Sequence, residues 1–262
     1  MTAGAGPLVR AVGLTRRYGE FTALDGLDLE VGAGELFGFL GPNGAGKTTT
    51  IRLLTGLLLP SAGEAFVAGH SLTADPRAAR AALGFVPDTP FLHDKLTARE
   101  FLALSAALYD VPADVADRRA RALLALLELE AAADGLIEGY SHGMRQKTAL
   151  AGALVHDPKV LFLDEPTIGL DPRSARTIKD LLRGLCDRGK AVFLSTHVLE
   201  IAERLCDRVA ILDRGRLAVV GTMAELRQQA RTQASLEEIF LGLTGGLEGA
   251  DLAAYLAEST PL

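Results

Sequence analysis

Glu35-Leu36-Phe37-Gly38-Phe39-Leu40 runs straight into Gly41-Pro42-Asn43-Gly44-Ala45-Gly46-Lys47-Thr48-Thr49. The first part is a short apolar run, the pattern of a strand buried on both faces. Lys47 opens a stretch that reads as helix as far as Leu58. A strand, a glycine-rich loop and a helix in that order make a phosphate cradle. Glycines let backbone N–H groups turn inward onto phosphate oxygens. The helix N-terminus adds its partial positive charge. Lys47 supplies a mobile cation for the terminal phosphates of a nucleotide, and the Thr48 hydroxyl can ligate Mg²⁺.

Working outward, two further apolar runs end in polar clusters. Val160-Leu161-Phe162-Leu163 leads into Asp164-Glu165-Pro166, and Ala191-Val192-Phe193-Leu194 leads into Ser195-Thr196-His197. Alone, the acidic pair is as readily a solvated strand end, and an isolated strand-end histidine is more often structural. After a phosphate loop they read differently, because strand C-termini in a parallel sheet converge on the ligand edge. Adjacent strand residues point to opposite sides, so the two acids have separate tasks. Asp164 is the Mg²⁺ ligand, directly or through water. Glu165 is the base that polarises an attacking water, and His197 reaches the terminal phosphate.

Between these runs the pattern changes. Thr97 to Ile137 is helical, opened by Thr97 as N-cap with Glu100 closing a capping box. Asp117–Leu129 is a Leu-rich amphipathic helix whose leucines serve core packing. Near the N-terminus, Leu27, Leu29 and Val31 alternate with Asp28 and Glu30, a half-buried strand. Strand–helix alternation on both sides of a helical block predicts a parallel-sheet core with a helical insertion. Ser235–Leu243 is a short amphipathic segment carrying Leu236, Ile239, Phe240 and Leu243 on one face.

Composition narrows the function classes. The chain has 262 residues and a net charge of −6, with no basic block, which argues against binding nucleic acid through its phosphates. No apolar run is long enough to span a bilayer. The start lacks the layout of a secretory signal, so Cys186 and Cys206 are expected to be reduced core thiols in a cytosolic protein.

A second anion cradle lies at Tyr140-Ser141-His142-Gly143-Met144, where Ser141 reads as the N-cap of a new helix. The chain already has one cradle for its own nucleotide, so the second serves a nucleotide held by another copy. With this, the chain closely resembles the ATP-binding cassette family over almost its whole length. The family's phosphate loop matches residues 41–48, its Asp-Glu strand Asp164 and Glu165, and its switch histidine His197. Gly169-Leu170-Asp171 resembles the inter-subunit loop, and Tyr18 matches the aromatic that stacks on adenine. Two departures stand out. The usual Leu-Ser-Gly-Gly-Gln is here Tyr-Ser-His-Gly-Met, keeping Ser141 and Gly143 as phosphate contacts. The usual Gln after the Leu83–Val86 strand is replaced by Asp88, still a hard oxygen ligand for Mg²⁺ or its water.

The resemblance implies an α/β fold: a P-loop NTPase core with a parallel sheet, an antiparallel β subdomain and an inserted helical subdomain. It implies an ATPase domain over 1–230, with the helical part at about 89–156, and a helical tail over 231–262. ATP and Mg²⁺ are the implied cofactors. The implied partners are a second ATPase subunit, identical or a close paralogue, and integral membrane permease subunits, with no nucleic acid. The expected place is the cytoplasmic face of the membrane. Asp88, the altered signature and the 235–240 segment resemble a bacterial branch that mostly exports drugs, lipids or other solutes. A soluble relative acting on DNA or ribosomes would usually carry two cassettes or a long coiled-coil insertion, and a GTPase an Asn-Lys-x-Asp base reader. The sequence has none of these.

Overall fold

The structure, a computed structural model, describes residues 6–166, 170–229 and 235–245. Gly169 and most of the tail therefore lie outside the described residues. Two sheets form the framework. The smaller is antiparallel: β1 (Val9–Tyr18) and β2 (Phe21–Val31) make a hairpin, and β4 (Ala62–Val67) and β5 (His70–Ser71) complete the order β2-β1-β4-β5. The larger comprises β3 (Leu36–Leu40), β6 (Leu83–Val86), β7 (Val160–Asp164), β8 (Ala191–Ser195), β9 (Arg208–Asp213) and β10 (Arg216–Gly221), in the order β10-β9-β3-β8-β7-β6. All its pairings are parallel except β10 on β9.

Three strands, apolar except for Asp164 and Ser195 at their ends, are buried along their full length. Every residue of β3, β7 and β8 is buried, as a sheet covered on both faces requires. Phe193 sits at the centre, with ring centroids 5.6 Å from Phe37, 5.2 Å from Phe39 and 5.3 Å from Phe162. One aromatic cluster thus fixes the three strands whose C-terminal ends carry the candidate chemistry.

Helices cover this sheet. α1 (Lys47–Leu54) leaves the phosphate loop and α2 (Pro76–Ala81) precedes β6. α1 is shorter than the expected Lys47–Leu58: the Thr55 hydroxyl bonds the Ile51 carbonyl, and Gly56 turns left-handed at φ 71°. Between β6 and β7 stand α3 (Ala98–Leu108), α4 (Ala113–Leu126) and α5 (His142–Leu154). Both links of the Thr97–Glu100 capping box are present, and the Ser141 hydroxyl caps α5 by accepting from Met144 N. α4 begins before the expected Asp117 and ends before Leu129, where the left-handed turn at Glu128 (φ 57°) stops it.

α6 (Pro172–Cys186) and α7 (Leu199–Leu205) bracket β8, and α8 (Met223–Gln229) follows β10. α9 (Leu236–Thr244), with a Ser235–Glu238 capping box, buries Leu236 and Ile239 in a cluster with Leu40, Ala202 and Ile211. Cys186 and Cys206 are free, and burial pushes their thiols up to about 11 and about 12. No helix among the described residues is long and apolar enough to cross a membrane.

Candidate functional site

The chain leaves β3 at Leu40 and must reverse tightly into α1. Gly46 permits this: it takes φ 108°, and a Cβ there would lie 2.4 Å from the Ala23 carbonyl oxygen. The loop is strapped from outside by the β9–β10 turn, where Gly215 N donates to Ala45 O and Asp25 N to Gly215 O, each at 2.8 Å. Lys47 folds back over the loop and donates to Gly41 O at 2.5 Å and Pro42 O at 3.1 Å. These carbonyls hold the ammonium at the mouth of the cradle. Burial pulls the Lys47 pKa down, opposed by the charges of Glu165 and Asp164.

A cavity of about 470 Å³ opens above the loop. Asn43, Gly44, Gly46, Lys47, Thr48 and Thr49 form its floor, and Asp88, Asp164, Glu165 and His197 its far wall. Four separate segments thus meet at one edge of the larger sheet. Asp164 ends β7 and is buried, at 7% exposure. Burial pushes its carboxyl pKa up, and the neighbouring Asp88 and Glu165 charges push the same way.

Glu165 does not continue the strand. Its φ of 51° is left-handed, a conformation few non-glycine residues adopt, and its N–H bonds Ser195 O at 3.0 Å. This kink, rather than strand alternation, separates the two acids. Glu165 Oε1 accepts a hydrogen bond from His197 Nδ1 at 2.7 Å, since an ionised carboxylate only accepts. Its other oxygen, Oε2, is buried without a partner.

The donor set suits a hard divalent cation. Crowded carboxylates, one of them destabilised as an anion by burial, favour a positive charge beside them. Among the described residues, no group of three or more acidic, His or Cys side chains could hold a metal by itself. Magnesium, which keeps few protein ligands and shares itself with phosphates, fits that sparse set.

Several expected residues do not line this cavity. Within the loop, Gly41 and Ala45 are buried and Pro42 is partly buried, and none of the three is in the lining. Tyr18 lies outside the lining as well, and the Arg16 guanidinium covers one face of its ring at 4.5 Å. Phe21, its cross-strand partner in the hairpin, lines the cavity instead, together with Ala23. No motif marked Phe21. The signal was an aromatic immediately after the Gly19-Glu20 turn, pairing with Tyr18 on the same face of the hairpin. Ser141 and Gly143 sit at the start of α5, away from this chain's own cavity. Asp171 caps α6, accepting from Ser174 N at 3.0 Å and Ser174 Oγ at 2.5 Å, which holds its pKa below the usual range.

Comparison with known proteins agrees with this geometry. Residues 24–168 match the ABC transporter family. The Nod factor export ATP-binding protein I of Ralstonia nicotianae is 41% identical over 223 residues, covering 85% of this chain and 70% of that protein. The daunorubicin resistance ATP-binding protein DrrA3 of Streptomyces coeruleorubidus is 42% identical over 217 residues, covering 83% and 69%. Among solved structures, an ATP-binding subunit of an ABC transporter superposes with a TM-score of 0.87 at 33% identity, covering 90% of this chain and 99% of that one. A dimeric, post-hydrolysis ATP-binding cassette bound to ADP and Pi gives a TM-score of 0.75 at 27% identity, covering 82% and 98%. The chain belongs to the ABC transporter family, as an ATP-binding ATPase subunit.

Proposed function

We propose that this chain powers an exporter, with two ATPase subunits closing head to tail on two ATP molecules and reopening after hydrolysis. Each ATP lies between one subunit's residues 41–49 and the other's Ser141–Gly143 turn. Tyr18 contributes an aromatic face for the base, and Asp171 orders the subunit boundary beside Leu170. Lys47 binds the β- and γ-phosphates. Thr48, Asp164 and Asp88 would hold Mg²⁺, which would screen phosphate charge when bound. Glu165 Oε2 draws a proton from the attacking water while His197 fixes the carboxylate through Oε1. The observation that carries this reading is the 2.7 Å Glu165–His197 bond on the wall facing Lys47. It leaves one buried carboxylate oxygen unpaired where a water must be polarised.

The domain reading places the ATPase over 1–230, the helical subdomain at about 89–156, and a short tail after it. At the border of core and helical subdomain lies a second cavity of about 290 Å³, with Phe85, Pro87, Phe91, Phe101, Leu108 and Tyr109 in its walls. Phe91 is 92% exposed and Leu108 75%. Large apolar side chains left open in this way favour a docked partner. We assign this groove to a separate membrane permease, which would hold the subunit on the cytoplasmic face of the membrane. Export as the direction follows from the relatives named for Nod factor export and drug resistance.

The test is reconstitution with the candidate permease. Phe91→Asp should leave ATP binding intact but abolish co-purification with membranes. Co-purification equal to that of the unaltered chain would rule out the groove.

A further inference from the structure

Gln146 is 2% exposed, and neither Oε1 nor Nε2 of its amide has a hydrogen-bond partner. Burying an amide unpaired is destabilising, and an apolar side chain of the same size would suit the position better. The surroundings show what the amide faces. A Cβ on Gly84 would lie 2.3 Å from Ala153 O, and His156 Nε2 donates to Leu83 O at 2.9 Å. The C-terminal end of α5 therefore lies against the start of β6, and the helix runs back along the strand. Seven residues toward the helix N-terminus cover about 10 Å, as do three residues of strand, which brings Gln146 level with Pro87. Gln146, Leu150 and Ala153 share one helical stripe, and Leu150 packs in the core with Leu161 and Leu163.

The loop leaving β6 is equally short of partners. Among the described residues, no carbonyl from Pro87 to Leu92 accepts a hydrogen bond from any helix, strand or side chain. The one bond made by its amides is local, Thr89 N to Asp88 Oδ1 at 2.7 Å. This loop joins the two cavities: Asp88 lines the nucleotide side and Phe91 the docking side.

We infer that Gln146 is a positioning residue that latches the Asp88–Phe91 loop once nucleotide is bound. Its amide donates to a loop carbonyl and accepts from a loop N–H, fixing where Asp88 stands relative to Phe91. The inference rests on the reading of Asp88 as a group on the Mg²⁺ side of the ATP site. It explains why a donor-and-acceptor side chain is kept in an otherwise apolar stripe.

The test is Gln146→Leu in the full chain. Thermal unfolding without nucleotide should give a midpoint equal to or above that of the unaltered protein, since an unpaired amide is removed. Titration with a fluorescent ATP analogue without Mg²⁺ should give a dissociation constant within about twofold of the parent. Hydrogen exchange at Asp88, Thr89 and Phe91 should slow by about tenfold on adding Mg-ATP to the parent, and not slow in the variant. Turnover should fall by about tenfold. A lowered midpoint with normal loop protection would show a purely structural role and overturn the inference, as would parental protection at any midpoint. Failure of the parent chain itself to bind the analogue would instead remove the ATP-site reading beneath it, and the inference with it.

Discussion

Glu165 Oε1 and His197 Nδ1 lie 2.7 Å apart, across 32 positions of sequence, because β7 and β8 pair in register from Val160–Ala191 to Asp164–Ser195. The ladder delivers the carboxylate and the imidazole to the same edge, and the left-handed turn at Glu165 swings the acid toward the ring. The pair acts as a unit: the ring orients the acid, and the acid fixes the proton on Nδ1.

Glu165→Gln removes the proposed base and keeps the hydrogen-bonding shape. Turnover should fall by about 10²–10⁴-fold, the usual worth of a positioned general base. ATP binding should persist, and a stable ATP-bound dimer should appear by size-exclusion chromatography. His197→Ala should cost nearly as much, and the double variant little more, since groups acting together are non-additive. Additive losses in steady-state ATPase assays would count against the unit.

Lys47→Ala removes the cation at the cradle. Charge-assisted hydrogen bonds are worth about 1.5–3 kcal/mol, so the ATP dissociation constant should rise about 10–100-fold. Isothermal titration measures this directly. In mixtures, a Lys47→Ala subunit and a Ser141→Ala subunit should together restore one composite site, and absence of recovery at every ratio would sink the shared-site arrangement.

Gly46→Ala places a Cβ 2.4 Å from Ala23 O at a φ of 108°. The contact is backbone, so the phosphate loop or β2 must move. Nucleotide binding should be lost while far-ultraviolet circular dichroism stays unchanged. A variant that binds ATP normally would show that the loop tolerates the displacement.

His156 supplies a pH dependence. Its ring stacks on Tyr109 with centroids 3.6 Å apart and planes 9° apart, and its Nδ1 is buried without a partner. Burial lowers its pKa; Lys190 and Arg119 add to this, and the Leu83 carbonyl and Asp157 oppose it. His156, and Arg80 from α2, both line the cavity at the border of core and helical subdomain. The native state therefore binds fewer protons than the unfolded chain below the ordinary histidine value of about 6.5. Stability should fall as pH drops through that value and continue falling to the lowered native one. His156→Phe keeps an aromatic stack, loses the bond to Leu83 O, and should flatten the pH dependence of the unfolding midpoint between about pH 7 and 5.

Much of this was legible in the sequence, and the reasons are local. β3, β7 and β8 announce themselves as apolar runs because both their faces are buried, and their polar ends follow from strand direction. The caps at Thr97 and Ser141 depend on residues at most three apart. What stayed hidden depends on contacts between distant segments. Phe21 joins the nucleotide cavity through its pairing with Tyr18, and Arg16 covers the ring that the motif pointed to. The Glu165 kink is invisible because Asp-Glu-Pro reads equally well as a strand end. The unpaired amide of Gln146 shows only when the helix is laid against β6.

The helical block leaves the large sheet at β6 and returns at β7, and these strands are direct neighbours, Leu83 facing Val160. The excursion leaves at Val86 and returns at Val160, beside Leu83, so its ends lie within one short strand's length, roughly 11 Å. A segment whose ends lie this near asks nothing of the scaffold except that its two stems stay where they are. Its length and surface can diverge to suit a new membrane companion while the sheet that breaks down the fuel is inherited unaltered. One engine can thus be refitted to many pumps by redrawing the coupling between its two stems.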